Sequence, residues 1–197
     1  MQNYLLPWMF HPQLTEERLS IIAEALLKVQ EDTHELLSSS LDDNYTRATC
    51  TFGRQKNRIV KLCMSKKYDW LGLSNPNNDY TITIGGIPIR SFSDDPTNPK
   101  KANFFRKNSV DQLFASEDTI PTIWRFVVEK PEFEGEGGRV HFAGYNALEE
   151  MLSLWSYGEE RVTVLHSTDD TPPAPVKIEL DDISASVPEK EKKSDNG

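Results

Sequence analysis

Arg54, Lys56, Arg58 and Lys61, followed by Lys66, Lys67, Tyr68 and Trp70, set cations beside aromatic rings. Lys100, Lys101, Phe104, Phe105, Arg106 and Lys107 repeat the arrangement further along. The chemistry these residue types support is anion binding. Cations neutralise carboxylates or phosphates, and exposed rings stack on bases or anchor a protein interface. Residues 54–107 hold 11 of the 22 Lys and Arg but 4 of the 31 Asp and Glu, a formal +7. The rest of the chain sums to −16, which gives the net −9. A basic middle between acidic ends suits an acidic partner, a nucleic acid, or the chain's own ends.

Other chemistries find less in the residues. His11, His34, His141 and His166 are widely separated, Cys50 and Cys63 lie thirteen apart, and neither CxxC nor HExxH occurs, so no metal site and no cofactor is expected. There is no GxSxG elbow. Gly85-Gly86 lacks the Lys-Ser/Thr of a phosphate loop, and glutamates surround the glycines at 135–138, so both stretches read as turns. The acid pairs Asp42-Asp43 and Asp94-Asp95 are of the type that holds Mg²⁺. With Asp111, Asp118, Glu129 and Lys130 they make a loose metal-dependent nuclease constellation, which solvated loop acids explain equally well.

The elements that position the basic clusters read as α+β. Thr15 caps a long N-terminal helix, with Glu16 and Glu17 in its first turn and Leu14 and Leu19 at staple spacing. Leu19, Ile22, Leu26, Val29 and Leu37 carry its apolar stripe. A sheet is the expected partner of that stripe, and a second helix the next. Residues 45–52 are ambiguous, their threonines suggesting strand. Residues 54–67 read as a basic amphipathic helix with Ile59, Leu62 and Cys63 on its inner side. Tyr80, Ile82 and Ile84 alternate with Thr81 and Thr83, Gly85-Gly86 permits a primed turn, and Ile87 and Ile89 resume the alternation. Pro88 suits an edge strand or an amide that faces outward.

Residues 94–99 read as loop, and a short helix is expected at 109–114. Residues 120–130 read as a strand with Trp124, Phe126 and Val128 on one face and Ile123, Arg125 and Val127 on the other. Its hairpin partner carries Val140 and Phe142. Residues 146–157 read as helix in preference to a turn followed by a strand, because Leu148, Met151, Leu152 and Trp155 fall at helical spacing. A short strand is expected at 161–166. The irregular order of elements argues against a doubly wound fold.

The expected architecture is thus α+β, a mostly antiparallel sheet packed against a long N-terminal helix, with one or two further short helices. One globular domain spans 1–166. A Pro-rich acidic tail at 167–197 is partly or wholly disordered, although Val176, Ile178 and Leu180 alternate as an edge strand would. No apolar run reaches the length of a membrane span, the N-terminus lacks the form of a secretory signal, and two cysteines suit reduced thiols, so a cytoplasmic protein is expected.

The preferred reading is a non-enzymatic interaction or regulatory adaptor. Arg54, Lys56, Arg58, Lys61, Lys66, Lys67, Lys100, Lys101, Phe105, Arg106 and Lys107 would present one basic face to a protein partner with an acidic surface. The alternative is a nucleic-acid-binding regulator that uses the same face. A metal-dependent nuclease is the third reading. No membrane partner is expected, and homo-oligomerisation is compatible with the chain.

Overall fold

The computed structural model describes residues 4–106, 119–129 and 138–158. All of them belong to the first of the chain's two units, Met1–Arg161. The expected helix at 109–114, the strand at 161–166, the tail at 167–197, and Lys107, Asp111, Asp118 and Lys130 lie outside the described residues.

The fold is α+β. After a single turn, α1 (Pro7–Phe10), come two long helices, α2 (Glu16–Leu36) and α3 (Asn44–Met64). Six strands follow: β1 (Leu71–Asn75), β2 (Thr81–Ile84), β3 (Ile87–Ser93), β4 (Ile123–Val128), β5 (Arg139–Tyr145) and β6 (Met151–Gly158). They form one sheet in chain order, with every neighbouring pair antiparallel except β3 and β4, which run parallel. Thr15 caps α2 by accepting a hydrogen bond from the Arg18 amide. Leu19, Ile22, Ala23 and Leu26 bury completely, and each large side chain among them contributes about 1.5–3 kcal/mol. They meet Trp124, Phe126 and Val128 of β4, Val140 and Phe142 of β5, and Trp155 of β6 in the main core. The inner face of α2 continues through Gln30 and Thr33. Gln30 donates from Nε2 to the Glu129 carbonyl, 2.9 Å away, which leaves Val29 only half-buried.

Two expectations are corrected. The basic helix is not short: it begins at Asn44, ten residues before the basic run, and takes in the threonines that suggest strand. Asp43 starts it by accepting from the Thr46 amide at 2.7 Å. Thr51, Gln55, Ile59 and Cys63 then form its buried row, and Gln55 donates to the Leu26 carbonyl of α2 at 3.0 Å. Burial against α2 outweighs the modest helix propensity of threonine and Gly53. Residues 146–157 are a turn and a strand, not a helix. Asn146 Oδ1 accepts from the amides of Leu148 and Glu150 at 3.0 and 2.9 Å, closing a turn in which Glu149 takes φ +66°. Leu148 is left exposed on that turn, so its helical spacing from Met151 does not bury it.

The hairpin at Gly85-Gly86 forms as its residues predict, with φ +55° and +87° as a primed turn demands. Pro88 sits inside the sheet rather than at its edge. The ladder alternation directs its ring nitrogen toward β4, whose pairing begins one residue later at Ile89↔Trp124, so no ladder bond is lost. The sheet face away from the helices carries a second core of Phe104, Ile123, Val127, Ala143 and Tyr145. The loop after β3 covers it, and Tyr145 donates its hydroxyl proton to the Pro96 carbonyl at 2.7 Å. No described helix is long and apolar enough to cross a membrane.

Candidate functional site

The residues of the first basic cluster leave α3 in two directions. At 100° per residue, Arg54, Arg58 and Lys61 share one flank, and Lys56 points to the opposite one. The first three are exposed. Lys56 is half-buried and donates from Nζ to Asn78 Oδ1 at 3.2 Å. Lys66 (φ +52°) and Lys67 are exposed past the helix end. Lys67 Nζ lies 5.1 Å from the centre of the Tyr68 ring.

The second cluster is fastened to the sheet by its backbone. Asp94 Oδ2 accepts from the amides of Lys100 and Lys101, each at 3.0 Å. Arg125 donates from Nε to the Phe104 carbonyl at 2.9 Å and from Nη2 to the Arg106 carbonyl at 3.3 Å. Its cross-strand neighbour Arg90 reaches the Asn103 carbonyl at 3.3 Å. Phe105 is not an open contact ring. It is half-buried, edge-on to Phe104 at 4.9 Å and to Tyr145 at 5.2 Å. Arg106 remains exposed.

A cleft of about 400 Å³ opens where these parts meet. Phe52 of α3, residues 78–80 of the loop into β2, residues 90–93 of β3, and Lys101–Asn103 line it. A second hollow is lined by Lys56 and residues 75–79. Lys56 and Lys101, one from each basic cluster, thus line two hollows that share Asn78 and Asp79, whereas Arg54, Arg58 and Lys61 line neither. Arg90 forms the base of the cleft. Its side chain is 6% exposed, against 55% for its ion-pair partner Asp79 at 2.9 Å, and its guanidinium lies 5.0 Å from the centre of the Phe92 ring. Burial pushes the Tyr80 hydroxyl up to about 12, against a smaller opposing effect of a hydrogen bond with Ser91, so this wall of the cleft stays neutral.

Arg90, Asp79 and Phe52 are not among the sequence-predicted site residues. The available signal was a cation at an alternating strand position between large apolar neighbours, as in Ile89-Arg90-Ser91-Phe92 and Trp124-Arg125-Phe126. Such a charge is either solvated or tied down, and here both arginines are tied down by backbone carbonyls.

A polar row crosses the far end of the same sheet face. Glu129 Oε1 lies 2.9 Å from His141 Nε2, and His141 Nδ1 lies 2.8 Å from Ser156 Oγ. The carboxylate and the serine hydroxyl thus lie against opposite nitrogens of the ring. That is the connectivity of a nucleophile–base–acid relay, but acyl transfer also needs oxyanion donors and a substrate cavity. Neither described cleft touches these residues. Among the described residues no group of three or more His, Cys, Asp and Glu gathers to hold a metal ion. Of the acids in the nuclease reading, three bond backbone amides: Asp43 caps α3, Asp94 accepts from the 100–101 amides, and Asp95 accepts from the Thr97 amide at 2.8 Å.

No family model, curated protein or solved structure matches this chain. What defines its class is an open mixed sheet with helices on one face and a cleft beside β3.

Proposed function

We propose that the chain is a non-enzymatic interaction or regulatory module that docks an acidic segment of a protein partner in the cleft between α3, the 75–79 loop and β3. The observation that carries this reading is a cleft lined by Lys101 and by Arg90, which is paired with Asp79 and set against Phe92, with Lys56 in a hollow that shares Asn78 and Asp79 with it. Phe52, Tyr80 and Phe92 line the cleft together with Arg90 and Lys101, and a protein interface uses both, apolar contact for burial and charge for steering. Two free thiols, Cys50 and Cys63, suit a cytoplasmic setting. The exposed stripe Arg54, Arg58 and Lys61 favours the second reading, a nucleic-acid backbone laid along α3.

The two readings predict opposite mutants. A fluorescein-labelled peptide alternating glutamate with valine, and a single-stranded oligonucleotide of equal charge, are titrated by anisotropy at low salt. Replacing Lys56 and Lys101 by Gln should weaken the peptide by about tenfold or more. Replacing Arg54, Arg58 and Lys61 by Gln should change it less than about twofold. Oligonucleotide binding that falls steeply with salt, and that only the triple replacement removes, would transfer the function to nucleic acid. Binding of neither probe by the intact chain would overturn both.

A further inference from the structure

The cleft contains an unpaired strand edge in the middle of the sheet. The β2–β3 ladder closes at Ile84↔Ile87 and ends at Ile82↔Ile89, whereas β3 runs on beside β4 as far as Ser93↔Val128. In an antiparallel ladder the residues that exchange hydrogen bonds alternate, and a two-residue turn makes its flanking pair a bonded one. The backbone groups of residues 87 and 89 therefore point at β2, and those of Ser91 and Ser93 point the same way, into the notch. Asn78, Asp79 and Tyr80, which would continue β2, line the opposite wall instead. Arg90 and Phe92 have their backbone groups aimed at β4.

The two faces of this notch differ in chemistry. Ser91 and Ser93 share the helix side with Ile87 and Ile89, and there the rim is Phe52 against Tyr80, ring centres 6.3 Å apart. Arg90 and Phe92 lie on the other side, with Lys101. A strand seated in the notch would turn alternate side chains toward Phe52 and toward the cations.

We infer that the notch accepts a short extended segment of a protein partner by strand addition, antiparallel to β3 in the space an extended β2 would fill, and selects alternating apolar and acidic side chains. The inference deepens the docking proposed above and rests on it. Main-chain bonds to Ser91 and Ser93 supply affinity, Phe52 takes the apolar residue, and the exposed Lys101 takes the acid. Among the residues that line the notch, Arg90 and Lys101 outnumber Asp79, which is the charge argument for an acidic occupant.

Backbone methylation of the glutamate–valine peptide tests this on the full chain. In the antiparallel register the valine amides face β3 and the glutamate amides face away. Methylating the valine amides should weaken binding by about tenfold or more, and methylating the glutamate amides by less than about twofold. Amide exchange at Ser91 and Ser93 should slow when the unmodified peptide binds. Equal binding of both methylated peptides overturns strand addition while leaving acidic docking in place. The reverse pattern overturns the antiparallel register. Failure of the unmodified peptide to bind removes the docking function itself. A rise of more than about tenfold in peptide affinity on replacing Glu179 and Asp181 by Gln in the full chain would assign the notch to the chain's own tail and overturn the external partner.

Discussion

Single residues in this protein divide sharply between inert and available. Cys63 lies in the buried row of α3, and burial pushes its thiol up to about 11, against a smaller opposing backbone hydrogen bond. Cys50 is exposed on the same helix. A thiol reagent at neutral pH should therefore label Cys50 in the native chain and Cys63 only in denaturant. Two equivalents reacting at once in the native state would show that the α3 row is not closed. Gly144 makes a different demand. It faces Trp124 across the β4–β5 ladder, and a methyl there would stand 2.6 Å from the indole ring. That ring is stacked on Phe142 at 5.3 Å and 12°, so it has little room to yield. Gly144→Ala should cost about 1–3 kcal/mol in urea unfolding and perturb tryptophan fluorescence. An unchanged midpoint would mean that the indole moves without penalty.

Elements were legible in the sequence where their period and their burial agree. The β2–β3 hairpin is of this kind, with Ile82, Ile84, Ile87 and Ile89 on one face and two glycines at the turn. So is β4, whose two expected faces are the two cores. The misread elements are those whose burial is polar. The row Thr51, Gln55, Ile59 and Cys63 marks a helix only once it is known that Gln55 meets the Leu26 carbonyl. In residues 146–157 the side chain of Asn146 decides, since an asparagine that bonds two amides as a turn also resembles a helix cap. Asn146→Ala should lower stability by roughly 1–3 kcal/mol through those two unpaired amides, with the β5–β6 ladder fraying first in amide exchange. Uniform exchange across the sheet would mean that the turn does not hold the strand. The candidate site was half legible for the same reason. Lys56 and Lys101 are visible as charge, whereas the cleft that Lys101 lines depends on where β2 stops and on Arg90 being tied down, neither of which any local pattern encodes.

At the scale of the whole molecule, two half-buried histidines are held below their ordinary value. Burial lowers His11, which lies edge-on to Trp124 at 5.8 Å. Burial, and then the neighbouring Arg47 charge, lower His34 near the end of α2. The folded chain thus keeps both rings neutral at a pH where the unfolded chain protonates them. Below about pH 6.5 the unfolded state binds more protons, and stability falls with pH. The contribution is complete above that value and is lost as pH drops through the lowered folded values. Asp95 and the exposed cap Asp43 are held below the ordinary 3.8. Their contributions act in a separate window: present above that value, they disappear only as pH falls through their own lower ones. Urea midpoints should therefore decline in two stages, a first that sets in below about pH 6.5 and a second below about pH 4. His11→Gln and His34→Gln should each flatten the first stage and leave the second. A first stage that persists in the double replacement would place the responsible group elsewhere in the chain.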